Sequence, residues 1–251
     1  MTRPQRLRMT IDITMTILSI ILMGGNYLFP ADIVHEILGV GLFVLWAVHI
    51  VLNRRWYASL AQASKLITST NANDRRSYGA IFRGKYNPYR IMQTIINCCI
   101  LICTIFLMIS GIILSNHIFT FLNIQGGLGF ARITHLLASH WYYLFMSLHI
   151  GLHVGMIFGN KGTSTSAGPS TGSGTTRTAI IPHIILALAC LYGIYAFIAR
   201  GVWKYLILRQ QFFFFDLERG YILFAIDYIS IIILFATLSH LLAKSLKKGK
   251  L

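Results

Sequence analysis

Acidic side chains are scarce in this chain, with 7 Asp and Glu against 22 Lys and Arg in 251 residues, and charged residues of both signs make up only 12%. With 55% hydrophobic residues and several apolar runs long enough to cross about 30 Å of hydrocarbon, an integral membrane protein is expected. Cysteine is sparse as well. Cys98, Cys99, Cys103 and Cys190 all fall inside apolar runs, where buried thiols are the expected state. The absence of any Cys-x-x-Cys-His string excludes covalent haem attachment of the c type, and no cysteine spacing suits a thiolate zinc site. A small-x-small cleavage pattern is also missing after the first apolar run, where Met23-Gly24-Gly25-Asn26 leads straight into the next. That run is expected to remain as a helix and not to be removed as a signal peptide.

What is present is an all-α membrane protein of six transmembrane helices, read at residues 11–29, 31–53, 91–115, 130–158, 179–199 and 221–242. The formal charge of +15 raises nucleic acid as a partner, but the placement of the cations argues against it. Arg3, Arg6 and Arg8 precede the first span, and Arg54, Arg55, Lys65, Arg75, Arg76, Arg83, Lys85 and Arg90 lie between the second and third. Lys161 and Arg177 separate the fourth and fifth, and Lys244, Lys247, Lys248 and Lys250 follow the sixth. With alternating spans these groups share one side, leaving Arg132, Arg200, Lys204, Arg209 and Arg219 on the other. The positive-inside rule then places both termini in the cytoplasm. The charge is a topology signal, with anionic lipid as a secondary contact.

The chain divides into three parts. Residues 1–158 form a four-helix unit, 159–178 a flexible linker rich in Gly, Ser and Thr, and 179–251 a two-helix unit. Trp56-Tyr57-Ala58-Ser59-Leu60 begins the long loop after the second span as an interfacial stretch, and its polar middle, 69–77, is expected to be mobile. The aromatic run Phe212-Phe213-Phe214-Phe215 reads as an interfacial belt or as a docking surface for a partner.

Histidine carries the functional signal. His35 and His49 sit fourteen residues apart in the second span, and His135 and His149 repeat that spacing in the fourth. Fourteen residues advance a helix by about 21 Å and fall roughly 40° short of four turns, so each pair shares a face. The two spans also match at an offset of one hundred, with Ile33, His35, His49, Ile50 and Leu52 recurring as Ile133, His135, His149, Ile150 and Leu152. Because the spans run in the same direction, His35 and His135 lie toward the outside and His49 and His149 toward the cytoplasm. Two levels of facing imidazoles can hold two haem b groups, non-covalently, by bis-histidine ligation. The plainer reading is polar residues hydrogen-bonded within the bundle, but ionisable groups inside spans are costly and mark function. Zinc fits less well, since two histidines per level leave a tetrahedral site short of ligands.

Other residues fall around this frame. His153 follows His149 by one turn and is the alternative inner ligand. Gly39 and Gly41, with Gly111, Gly151 and Gly155, are candidates for a slot that admits a flat macrocycle, or for plain helix packing. Arg54 suits the propionates of the inner haem and Arg132 those of the outer, with ordinary flanking charge as the alternative. Glu36 either tunes His35 or sits among headgroups. His140 faces away from His135, His117 is expected to be exposed, and His183 and His240 lie near the cytoplasmic ends of their spans.

The strings His35-Glu36-Ile37-Leu38-Gly39, His49-Ile50-Val51-Leu52-Asn53 with Trp56, Ser110-Gly111-Ile112-Ile113-Leu114-Ser115, Arg132-Ile133-Thr134-His135 and Leu148-His149-Ile150-Gly151-Leu152-His153 resemble those of the flavinylation-associated cytochromes, small bacterial membrane cytochromes b. The resemblance covers 11–158. It implies a four-helix haem-binding unit similar in outline to respiratory cytochrome b, in the bacterial cytoplasmic membrane, working with an extracytoplasmic flavin-carrying redox protein. The chain has no flavin-attachment string of its own, since Ser173-Gly174-Thr175-Thr176 lacks the Gly-Ala-Thr core. The expected function is transmembrane electron transfer through two haems, with a quinol or a cytoplasmic reductase as donor. The alternatives are a membrane-anchor subunit of a redox complex and a transporter with an intramembrane histidine proton relay.

Overall fold

The structure is a computed structural model that describes residues 3–25, 31–56, 58, 88–158, 175–213 and 220–248, with side chains described at all of these except 3, 4, 155–158, 175–181 and 248. Most of the long loop after the second span, the Gly/Ser/Thr linker up to residue 174 and Phe214–Phe215 lie outside the described residues.

Ile and Val have modest helix propensity in water, but in hydrocarbon the backbone must satisfy its own hydrogen bonds, and a helix does so within one segment. Among the described residues every regular element is helical: α1 (Arg3–Met23), α2 (Asp32–Leu52), α3 (Pro88–Leu114), α4 (Leu128–Phe158), α5 (Thr175–Ala199), the short α6 (Val202–Leu206) and α7 (Gly220–Lys248), with a 3-10 turn at Thr120–Leu122. Local chemistry sets several boundaries. Asp32 opens α2 with a negative charge at the positive end of the helix dipole, and Asn53 closes it by returning its backbone N–H to the His49 and Ile50 carbonyls. Proline at the first position suits the start of α3. Gly201, at φ 62°, takes the left-handed conformation that ends α5 and lets the chain re-enter a helix at Val202.

Among the described residues four helices are long and apolar enough to cross a membrane: Asp32–Leu52, Pro88–Leu114, Pro182–Ala199 and Gly220–Lys247. The protein is thus a helical membrane protein in a lipid environment. The other two long helices are less apolar for identifiable reasons. α1 carries Arg6, Arg8 and Asp12, and α4 spreads four histidines, His135, His140, His149 and His153, over its 31 residues.

Compactness divides the chain inside α4, into a first unit of Met1–His135 and a second of Leu136–Leu251. In the first unit, Arg8 Nη2 donates to the Leu52 carbonyl at 2.9 Å, which sets the antiparallel register of α1 and α2. The Glu36 carboxylate ties α2 to the chain after α3, accepting from Ser115 Oγ at 2.6 Å and from the N–H groups of Asn116, Ile118 and His117 at 2.8, 2.9 and 3.3 Å. Ile33, Ile37, Val44, Val48 and Val51 form an exposed apolar stripe on α2. At 3.6 residues per turn that stripe lies on the side opposite His35 and His49.

In the second unit α4 and α7 pack backbone to backbone. A Cβ on Gly151 would stand 2.0 Å from the Ala236 carbonyl oxygen and from Ser239 Oγ. Ser239 donates to the Leu148 carbonyl at 2.7 Å, and the Tyr143 hydroxyl donates to the Tyr228 carbonyl. α5 approaches α7 as closely at Gly193, where a Cβ would meet the Ser230 carbonyl oxygen at 2.5 Å.

Candidate functional site

His35 lies in the first turn of α2 and His135 in the second turn of α4. Their rings face each other with centroids 6.3 Å apart and planes tilted by 60°. Ser110 on α3 completes the group. Its hydroxyl donates its single proton to the Phe106 carbonyl at 2.6 Å, so toward His135 Nδ1, 3.0 Å away, it acts as acceptor. Nδ1 therefore carries the ring proton, and Nε2 is the nitrogen with a lone pair. Gly111 sits against the same ring, with a Cβ position 3.7 Å from His135 Cε1. At Gly39, one turn beyond His35, a Cβ would meet nothing within 4 Å.

These residues fit a haem iron. Two imidazoles bonded to one metal from opposite sides at about 2.0–2.1 Å each place their ring centres about 6 Å apart, close to the separation of His35 and His135. No three His, Cys, Asp or Glu side chains gather as metal donors among the described residues. Two protein donors suit haem, where the macrocycle supplies the remaining four.

The inner-level residues are held differently. His49 Nδ1 pairs with Asp12 Oδ1 of α1 at 2.7 Å, and Asn53 Nδ2 stands 3.3 Å from Nε2. His149 and His153 belong to the second unit, where their rings lie 4.6 Å apart at 53° on consecutive turns of α4. The helix thus presents both to one side, and the choice between them stays open. Arg54 and Arg132 are both exposed at helix ends.

No protein-family model, curated protein or solved structure matches the chain. The functional reading therefore rests on this chain's own residues.

Several sequence expectations change on contact with the fold. Gly151 does not line a slot, because the α7 backbone occupies the space beside it. Glu36 spends its oxygens on the 115–118 turn and not on a hydrogen bond to His35, so its charge acts on the neighbouring imidazole through space. Of the four thiols only Cys103 is buried, and Cys98 is exposed on the helix surface. His117 is exposed as expected.

Two features escaped the sequence reading. Asp227 is buried in α7, where it accepts from Arg200 Nε at 2.7 Å and from the Tyr192 hydroxyl at 2.6 Å. A lone carboxylate within an apolar run was the available signal. His140 is also buried. Its Nδ1 bonds the Leu136 carbonyl at 2.8 Å, its ring stacks on Tyr205 with centroids 4.3 Å apart, and its Nε2 has no hydrogen-bond partner among the described residues. It faces the short helix α6, consistent with its five-residue offset from His135.

Proposed function

We propose that this protein is a di-haem b electron carrier of the bacterial cytoplasmic membrane, with six spans and both termini in the cytoplasm. α1 to α4 would form a cytochrome-b-like bundle, and α5 and α7 the C-terminal pair. His35 and His135 would hold the outer haem, and His49 and His149 the inner, with His153 as the alternative to His149. The observation that carries the reading is the pair of imidazoles of His35 and His135 with ring centroids 6.3 Å apart, close to the spacing of two imidazoles on one metal.

When bound, haem supplies a one-electron ferric/ferrous couple. The chain's own residues do the rest. His35 and His135 present neutral imidazoles, Ser110 restrains the rotation of the His135 ring, Gly111 keeps a side chain away from that ring, and Gly39 leaves open space one turn beyond His35. Arg54 and Arg132 stand at the membrane borders, where propionates would accept charge-assisted hydrogen bonds. The expected donor is a quinol or a cytoplasmic reductase, and the expected acceptor an extracytoplasmic flavoprotein, as in the family that the histidine strings resemble.

A reduced-minus-oxidised spectrum of the purified chain, with haem quantified per polypeptide, tests the proposal. Two b-type haems per chain are expected, and a protein purified without a b-type band after expression with ample haem sinks it.

A further inference from the structure

The segment between the helices Pro182–Ala199 and Gly220–Lys247, both long and apolar enough to cross a membrane, leaves one span and leads into the next. It therefore stands at a membrane border whichever way the chain is oriented. One face of it is fixed to α4. Val202 and Tyr205 are buried, Tyr205 stacks on His140 with centroids 4.3 Å apart, and Trp141 Nε1 donates to the Leu206 carbonyl at 3.1 Å. Away from α4, Lys204 and Arg209 are exposed, and so are the apolar side chains of Ile207 and Phe212, at 62% and 61%.

The backbone brings the two cations together. Leu208 takes the left-handed conformation at φ 57°, which ends α6 and turns the chain back. The Arg209 N–H then donates to the Lys204 carbonyl at 2.8 Å, and the Leu208 N–H to the Tyr205 carbonyl at 3.2 Å. These are the two bonds of a Schellman motif, with leucine where glycine is usual. Both side chains consequently meet at one indole: Lys204 Nζ lies 5.7 Å and Arg209 Cζ 5.9 Å from the centre of the Trp203 ring, within the range of a cation–π contact. Arg200 nearby spends its charge on Asp227, whereas Lys204 and Arg209 form no ion pair among the described residues. Like charges gathered at one ring repel each other, and an anion between them turns that repulsion into attraction.

We infer that this face binds an anionic phospholipid, with the headgroup phosphate held by Lys204 and Arg209 and the upper acyl chain lying against Ile207 and Phe212. Exposed apolar side chains beside a tryptophan and two cations match a bilayer border, where acyl chains and phosphate are neighbours. An acidic protein surface would answer the cations and leave the apolar side chains without a partner. The inference rests on the bilayer setting alone and holds independently of haem binding.

Tryptophan fluorescence quenching tests it in the full-length chain, reconstituted in phosphatidylcholine bilayers that contain acyl-brominated phosphatidylglycerol or acyl-brominated phosphatidylcholine at the same mole fraction. The quenching that Trp203→Phe removes is the share belonging to this site. For that share brominated phosphatidylglycerol is expected to be the preferred quencher. Lys204→Gln and Arg209→Gln should each lower the preference about fivefold, and Lys204→Arg should keep it. Equal quenching by the two lipids, or a preference that survives the loss of both cations, overturns the inference. A Trp203 signal that neither lipid quenches overturns it as well, and its response to added polyglutamate would then identify an acidic protein as the occupant.

Discussion

At the scale of single residues, a histidine becomes a useful ligand only when one ring nitrogen is committed elsewhere. His135 commits Nδ1 to Ser110. Removing such a partner typically weakens metal binding about 10–100-fold. Ser110→Ala is accordingly expected to weaken outer-haem retention by about that factor and leave the inner haem in place, measured as haem lost on dilution in detergent. The choice between His149 and His153 is a residue-scale question too. His149→Ala should abolish the inner b-type signal and His153→Ala should retain it, read by difference spectroscopy. The paired histidines themselves were legible in the sequence because spacing along one helix is local geometry. Ser110 and Asp12 were not, since each reaches its histidine from another helix and nothing in the local pattern says which faces will meet. Asp227 was legible in principle, as an acid inside an apolar run, and its partners Arg200 and Tyr192 were not.

At the scale of elements, the glycines separate into two kinds that sequence could not tell apart. Gly151 and Gly193 let the backbones of α4 and α5 reach α7, whereas Gly39 faces open space and Gly111 has only ordinary contact with the His135 ring. Gly151→Ala forces α4 and α7 apart against a carbonyl and is expected to cost about 1–3 kcal/mol, seen as a lower melting temperature in detergent. Gly111→Ala should leave that temperature near wild type, because its neighbour is the edge of a ring at 3.7 Å. The helices were readable from length and apolarity. Their ends were less so: α1 begins at Arg3 and α5 at Thr175, because a helix continues through polar flanks that hydropathy alone assigns to loops.

For the molecule as a whole, stability in the second unit depends on a buried charge pair. Arg200 and Asp227 are only 11% and 5% exposed, and removing one member strands the other. Asp227→Leu should destabilise the chain by about 3–5 kcal/mol, and the double variant Arg200→Met, Asp227→Leu should regain most of the loss, as followed by denaturant unfolding in detergent. Compact grouping also differs from the division that composition suggests. A Gly/Ser/Thr stretch marks a break in the sequence, yet the boundary falls inside the continuous helix α4, because contacts between distant segments define a unit and composition records only local pliancy.

The Glu36 carboxylate has a consequence for assembly. Four donors from one short stretch, Ser115 to Ile118, converge on its two oxygens, and a slip of α3 by a single residue would misalign all four together. Such a contact is made or lost as a unit, so it works as a latch that holds α2 in one register against the end of α3.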